Sequence, residues 1–401
     1  MEAATKNDSV ISHPDFLGDS FHIQTQVRLV FGCGKLTSLG RLATELRGRR
    51  VLLVTDRGIV EAGHVHHAVA SLEQANLEVS VFDQVCENPT TADVSACVAA
   101  AQSHGADILV GLGGGSSMDT AKGCNFILTN GGEMKDYWGV GKASKPMLPL
   151  IAIPTTAGTG SECQSFALIA DEKTHQKMAC GDPKAAAAIA ILDPELTLSQ
   201  PRRVTACTGV DALSHALESA VSLKRNRYSW LHSNEATRLI LHALPAVLKD
   251  PDDLDARGKM LLGAALAGIA IENSMLGAAH AAANPLTAQY NVIHGTAVGM
   301  MLPHVMRRNA TLEAVSTAYA DLAKTCHLTT SEDMTKGAES LIHGVECLLK
   351  EAGIPKRLPE QGVKAENLQA LASSAAQQWT GRFNPVPLGE EDFLTLYQQA
   401  M

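Results

Sequence analysis

Asp211 and His215 lie four residues apart in the run Gly209-Val210-Asp211-Ala212-Leu213-Ser214-His215-Ala216-Leu217-Glu218. On a helix that spacing puts a carboxylate and an imidazole on one face. The neighbouring positions are apolar, so the face is expected to be buried, where an acid and a histidine need a reason to be. Two further histidines follow. His280 ends an apolar helical run, and His294 precedes Gly295 and opens the segment 296–302. Pro285 is expected to break the chain between them, so that two helix ends converge. One carboxylate and three imidazoles make a donor set for Fe2+, with Zn2+ as the alternative. The plainer reading stays open, because the chain has 15 histidines and a lone Asp-x-x-x-His is weak. His304, behind Pro303, is read as structural or as support for a ligand, and His64, His66 and His67 as part of a surface helix.

A second chemistry belongs to residues 108–122. An apolar run leads into Gly113-Gly114-Gly115-Ser116-Ser117-Met118-Asp119-Thr120-Ala121-Lys122, which reads as strand, glycine turn and helix. Three glycines let a backbone approach a bulky anion, and the helix start offers unpaired N–H groups to a phosphate. Ser116 and Asp119 have the spacing of a capping box. A tight connection with no ligand is the alternative. The loop is not G-x-G-x-x-G, so ordinary Rossmann topology is not implied. Asp56 follows the apolar run 51–55. An acid beyond the carboxyl end of a parallel strand can bond ribose hydroxyls and repel a 2′-phosphate. A turn residue or helix cap is the alternative there.

These groups need elements to position them. Apolar runs at 27–31, 51–55, 77–82, 108–112, 149–153 and 189–192 alternate with helical stretches, which predicts a parallel sheet covered on both faces. Segments 166–170 and 176–180, joined through 171–175, suit an inserted hairpin. From about Glu195 the strand signal disappears into Ala-, Leu-, Ile- and Glu-rich stretches punctuated by Gly258, Gly295, Pro303 and Gly353. The expected fold is an α/β N-terminal dinucleotide-binding domain, 1–194, and an all-α C-terminal domain, 195–401, divided near Asp193–Pro194.

Composition narrows the partners. The chain of 401 residues has a net charge of −9 and no Lys/Arg run longer than two, which argues against nucleic acid and against an anionic membrane. The nine cysteines form no CxxC pair and fit a reducing compartment, hence the cytoplasm. Residues 1–20 lack the basic start and apolar run of a signal peptide. The stretch 260–283 holds Glu272, Asn273, Ser274 and His280, so it is read as buried core and not as a membrane span.

Taken together and in order, these residues resemble the iron-containing alcohol dehydrogenase family over nearly the whole chain. The resemblance runs through Val30-Phe31-Gly32-Cys33-Gly34, Asn88-Pro89-Thr90, the 113–122 loop, Pro154-Thr155-Thr156-Ala157-Gly158-Thr159-Gly160-Ser161-Glu162, Asp193-Pro194, Thr208–Ala212 and His294-Gly295. It implies a dehydroquinate synthase-like architecture with cofactor and metal meeting between an α/β and a helical domain. It implies hydride transfer between an alcohol and NAD, giving an aldehyde or ketone, and the reverse. By resemblance Asp211, His215, His280 and His294 match the metal ligands, with His280 at the catalytic centre. Asp56 matches the residue favouring NAD, and Asn88, Gly114, Gly115, Ser116, Asp119, Thr155, Thr156, Thr159 and Lys177 match dinucleotide contacts. A homodimer or higher homo-oligomer is implied, and the run 27–31 suits pairing at a sheet edge.

The chain departs from many members at Asn284, where they carry a histidine. Asparagine is neither acid nor base near neutral pH, which leaves the proton route and the substrate open. Rival readings are another reaction on the same scaffold (glycerol dehydrogenase, maleylacetate reductase or a dehydroquinate synthase-like lyase) and a non-catalytic relative that binds nucleotide or metal. A phosphate-bearing lyase substrate calls for clustered cations, and Arg202-Arg203 and Arg307-Arg308 are the adjacent basic pairs considered for that role.

Overall fold

Val51 and Leu53 face one side of a strand and Leu52 and Val54 the other, and all four are fully buried. Such a strand has to lie inside a sheet covered on both faces. The computed structural model describes Phe21, Ile23 and residues 27–174 and 176–401; the expectations for residues 1–20 and His175 lie outside the described residues.

The first half contains strands β1 (Arg28–Phe31), β2 (Arg50–Val54), β3 (Glu78–Phe82), β4 (Ile108–Gly113), β5 (Gly139–Val140), β6 (Leu150–Pro154), β7 (Phe166–Ala170), β8 (Lys177–Gly181) and β9 (Ile189–Leu192). Between them run helices α1 (Leu39–Glu45), α2 (Arg57–Glu61), α3 (His64–Gln74), α4 (Thr91–His104) and α5 (Gly115–Asn130). The parallel sheet has the order β1-β9-β6-β4-β2-β3. The chain winds outward from β2 to β3, then returns past β2 to β4. Winding therefore reverses between β2 and β4, and ligands of such sheets lie beyond the strand ends at that reversal. The hairpin expected at 166–180 is the antiparallel pair β7 and β8. Short β5 adds to it as a third strand, which the sequence did not signal.

The second half is helical: α6 (Arg202–Val221), α7 (Arg227–Lys249), α8 (Leu254–Ser274), α9 (Ala278–Tyr290), α10 (His294–Asn309), α11 (Glu313–Thr325), α12 (Met334–Glu351), α13 (Leu368–Ala376) and α14 (Glu390–Gln399). Its apolar core is continuous with Leu192 of β9, so the two halves share packing at their joint.

Four local expectations need correction. Pro285 does not break the chain; it sits inside α9. The missing N–H leaves the Ala281 carbonyl without its helical donor, while the Tyr397 hydroxyl secures the next carbonyl, Ala282, at 2.6 Å. His280 does not end an apolar helix. The break comes earlier, where Met275 adopts φ 70° and ends α8, so His280 lies in the first turn of α9. Gly258, Gly295 and Pro303 are not punctuation either, since each lies within a helix. At Gly295 a Cβ would stand 2.0 Å from the Cys207 carbonyl, so the glycine permits α10 to cross α6 closely. Finally, Ser116 and Asp119 form no capping box, because α5 begins at Gly115 with Gly114 as its uncapped N-cap.

No single helix among the described residues is long and apolar enough to cross a membrane; α8 and α9 pass such a test only together, and they meet at 105°.

Candidate functional site

α6 carries Asp211, His215 and Glu218 on one buried face. The 105° turn after α8 brings the first turn of α9, with His280, against that face, and the start of α10 supplies His294. The three imidazoles converge on one oxygen. Asp211 Oδ1 lies 3.6 Å from His215 Nε2, 3.4 Å from His280 Nε2 and 3.7 Å from His294 Nε2. The His215 and His280 rings stack with centroids 4.9 Å apart. Asp211, His215 and His280 are buried, whereas the His294 side chain is 33% exposed and forms the open side.

The electrostatics follow from this crowding. Burial alone would raise the Asp211 carboxyl, but the three histidines outweigh it and hold the group well below the usual range. Burial would lower His280, yet Glu218 and Asp211 on either side push it up to about 9. Desolvation, aided by the charges of His280 and Lys177, holds His294 down at about 3. Among the cluster's buried polar atoms without a hydrogen-bond partner are Asp211 Oδ1 and His280 Nε2, which face each other at 3.4 Å. Orphaned atoms of this kind are costly. A divalent cation would satisfy both, and the donor set is one that Fe2+ or Zn2+ accepts. The residues present therefore fit a metal centre formed by Asp211, His215 and His280, with His294 beside it.

The dinucleotide candidates gather at the winding reversal. The glycine loop leaves β4, Asp56 leaves β2, and Thr155–Thr159 leave β6, three neighbouring strands. Thr155 N–H donates to the Gly113 carbonyl at 2.9 Å, tying two of these loops together. Gly113 has φ 147°, and a Cβ there would stand 2.5 Å from Ser117 Oγ. A Cβ at Gly115 would meet Thr159 at 2.9 Å. No side chain caps the start of α5, and Ser117 N–H turns back to the Gly114 carbonyl at 3.2 Å, so an anion would be met by the N–H groups of Gly115 and Ser116. Asp56 caps α2 through Ile59 N–H at 3.1 Å, and the Ser117 hydroxyl approaches its other oxygen at 3.4 Å. The cap reading of Asp56 is thus realised, at a place that also borders the glycine loop.

Other candidates lie differently. Asp119 points inward, accepting from the Ser161 hydroxyl at 2.7 Å and Leu168 N–H at 3.2 Å. Lys122 is fully buried beside it and donates to Ser161 O at 2.6 Å and Phe166 O at 3.0 Å. Asn88 is exposed on the segment after β3, with φ 55°. Lys177 opens β8, close enough for its charge to act on both Asp119 and His294. Asn284 donates to Gln378 Oε1 at 3.0 Å, so its amide is held by the segment before Trp379–Phe383. His304 stands apart with Arg307, Arg308 and Asp392 in a surface hollow.

Sequence reasoning missed Glu218 and Gln378. Glu218 had a readable signal, since it continues the Asp211–His215 face one turn further. Gln378 had none, because its partner Asn284 lies 94 residues away.

The chain matches the iron-containing alcohol dehydrogenase model over residues 26–194 and the C-terminal model of the same family over residues 205–401. It is 34% identical to alcohol dehydrogenase 4 of Saccharomyces cerevisiae, covering 92% of this chain and 96% of that protein. It is 33% identical to the NAD-dependent methanol dehydrogenase of Bacillus methanolicus, over 93% and 97%. Among solved structures, a 1,3-propanediol oxidoreductase superposes with a TM-score of 0.92 at 32% identity, over 95% of this chain and 100% of the other. The chain belongs to the iron-containing alcohol dehydrogenase family. It is accordingly an oxidoreductase of the alcohol dehydrogenase class, with the family's α/β and helical halves in that order.

Proposed function

We propose that this protein is a metal-dependent, NAD-linked dehydrogenase that interconverts a small alcohol and its aldehyde or ketone. The observation that carries the reading is the buried Asp211 oxygen faced by three imidazole nitrogens, with Asp211 Oδ1 and His280 Nε2 left without partners. The NAD-dependent methanol dehydrogenase among its relatives supports the choice of cofactor. Fe2+ is the proposed cation, with Zn2+ as the alternative the donor set also accepts.

Asp211, His215, His280 and His294 would hold the cation, and the His294 side chain is the exposed one of the four. Gly114, Gly115 and Ser116 present the start of α5 to the pyrophosphate, with Thr155, Thr156 and Thr159 flanking. Asp119 acts through Ser161, which it anchors. Asp56 and Asn88 border the ribose end, and Lys177 sits between cofactor and metal. A bound cation would supply Lewis acidity and a bound NAD would supply the hydride chemistry. The chain contributes alignment and exclusion of water. Asn284 carries no titratable group, so no side chain at that position takes the proton; its amide and that of Gln378 offer hydrogen bonds to a second polar group on the substrate.

The lyase alternative is disfavoured because three of its four candidate cations are engaged elsewhere: Arg202 with the Glu351 carbonyl, Arg307 with Glu339 and Glu346, and Arg308 with Asp392. We place the protein in the cytoplasm, in keeping with nine free cysteines, and as a homodimer or higher oligomer. The domain division proposed remains 1–194 and 195–401.

Metal analysis of anaerobically purified protein, followed by alcohols and aldehydes assayed with NAD and NADH, tests the reading. Asp211→Ala is expected to lose the metal and turnover together while NADH binding persists. Full metal content and turnover in that variant would remove the metal assignment.

A further inference from the structure

Glu218 is a buried carboxylate, 4% exposed, that is not one of the cation's candidate ligands. Helix α9 has Gly277 at its N-cap and no side-chain cap of its own. Its first N–H groups would be left unsatisfied, and other elements satisfy them. Asn384 Oδ1 accepts from Ala278 N–H at 3.3 Å. Glu218 Oε1 accepts from Ala279 N–H at 2.6 Å and from His280 N–H at 3.4 Å. The second oxygen, Oε2, accepts from His280 Nδ1. A Cβ on Gly277 would stand 3.0 Å from Glu218 Oε1 and 3.1 Å from Asn384 Oδ1, so glycine leaves room for both acceptors.

We propose that Glu218 is a positioning residue for the metal centre: it fixes the tautomer and aim of His280 and anchors the helix end that carries it. With Nδ1 donating to Glu218, the lone pair left for a cation is on Nε2, the nitrogen that faces Asp211 Oδ1 at 3.4 Å. The carboxylate also sits at the positive end of α9, where negative charge is favoured. One side chain thus sets both the rotation of the ring and the position of its backbone.

Only a carboxylate meets these demands. The site presents a donor to each of the two oxygens. A glutamine has one acceptor and one donor, so one pairing has to reverse. The Ala279 N–H cannot reverse, but the imidazole can. In Glu218→Gln the amide oxygen stays with Ala279, its NH2 faces Nδ1, and the ring proton moves to Nε2. That is the tautomer that blocks the cation.

The inference rests on reading the cluster as a metal centre, and the test separates the two. Metal-free protein is titrated with Fe2+ anaerobically and with Zn2+ against a competing chelator. If the unaltered protein binds neither, the metal reading itself falls. If it binds and Glu218→Gln is weaker by about 10–100-fold, with NADH binding unchanged, the positioning role stands. Equal affinity in Glu218→Gln overturns it. Should that variant fail to fold, histidine 15N spectra of the unaltered Zn2+-loaded protein decide. Coordination through Nε2 with a proton retained on Nδ1 is expected for His280, and coordination through Nδ1 overturns the proposal.

Discussion

Asp56 serves two neighbours at once. One oxygen caps α2 and the other borders the glycine loop through Ser117. These roles respond differently to substitution. Asparagine caps a helix about as well as aspartate but carries no charge. Asp56→Asn is therefore expected to keep the thermal stability and relax the preference for NAD over NADP. Two charges about 4 Å apart at an effective dielectric near 20 interact by about 4 kcal/mol, so the kcat/KM ratio of the two cofactors should move by at least about tenfold. An unchanged ratio would leave Asp56 with capping alone. The same duality explains why residue types in the sequence pointed to the site without settling roles. Asp119 has the spacing of a cap for the glycine-loop helix, yet its carboxylate turns inward to Ser161 because the helix begins at Gly115.

The joint between the halves is built by Ser161–Cys163 and the middle of α8. Gly160, at φ 62°, packs so closely on Gly268 that a Cβ would stand 2.7 Å from its Cα. Ser165 N–H donates to Glu272 of α8 at 3.1 Å. Within this joint Glu162 is 1% exposed and its Oε1 has no partner. Burial pushes its carboxyl from 4.5 up to about 7, and the Lys122 charge offsets this only in part. A folded-state value above the unfolded one means that the group's relative stability is intact below 4.5 and is lost as pH rises through about 7. Glu162→Gln should consequently stabilise the fold at pH 8, by up to about 3 kcal/mol at 1.36 kcal/mol per unit, and change little at pH 4. Urea unfolding at the two pH values checks this; an equal effect at both would show that the carboxyl titrates normally. None of this joint was legible beforehand, because Glu162 and Glu272 belong to different halves and carry no local pattern.

At the scale of the molecule, β1 is an edge strand whose neighbour among the described residues is β9 alone. Arg28 N–H donates to the Ala188 carbonyl, just before β9, and Gly32 N–H to the Leu192 carbonyl, both at 3.0 Å, so the alternate N–H groups of β1 face outward. Phe31, at the end of this edge, is 44% exposed. An open edge with an exposed aromatic is a template for a second chain. Light scattering at micromolar concentration is expected to show at least twice the 42.3 kDa of one chain. A particle of single-chain mass would refute assembly.

The sequence by itself determined what depends on neighbours along the chain. The apolar run of β2, the glycine turn after β4, the Asp211–His215 face of α6 and the change from strands to helices after Leu192 all follow from local pattern and turn chemistry. Tertiary structure decided what depends on residues far apart. The left-handed Met275 and the crossing at Gly295 turn α9 and α10 onto α6, which brings the Nε2 atoms of His280 and His294 to 3.4 and 3.7 Å of a single oxygen. Packing between elements also left the first turn of α9 without a cap of its own and set Glu218 against it, 61 residues from Ala279. Local propensity has no term for a hydrogen bond over that distance, so the sequence can place Glu218 on the Asp211–His215 face but not pair it with the start of α9.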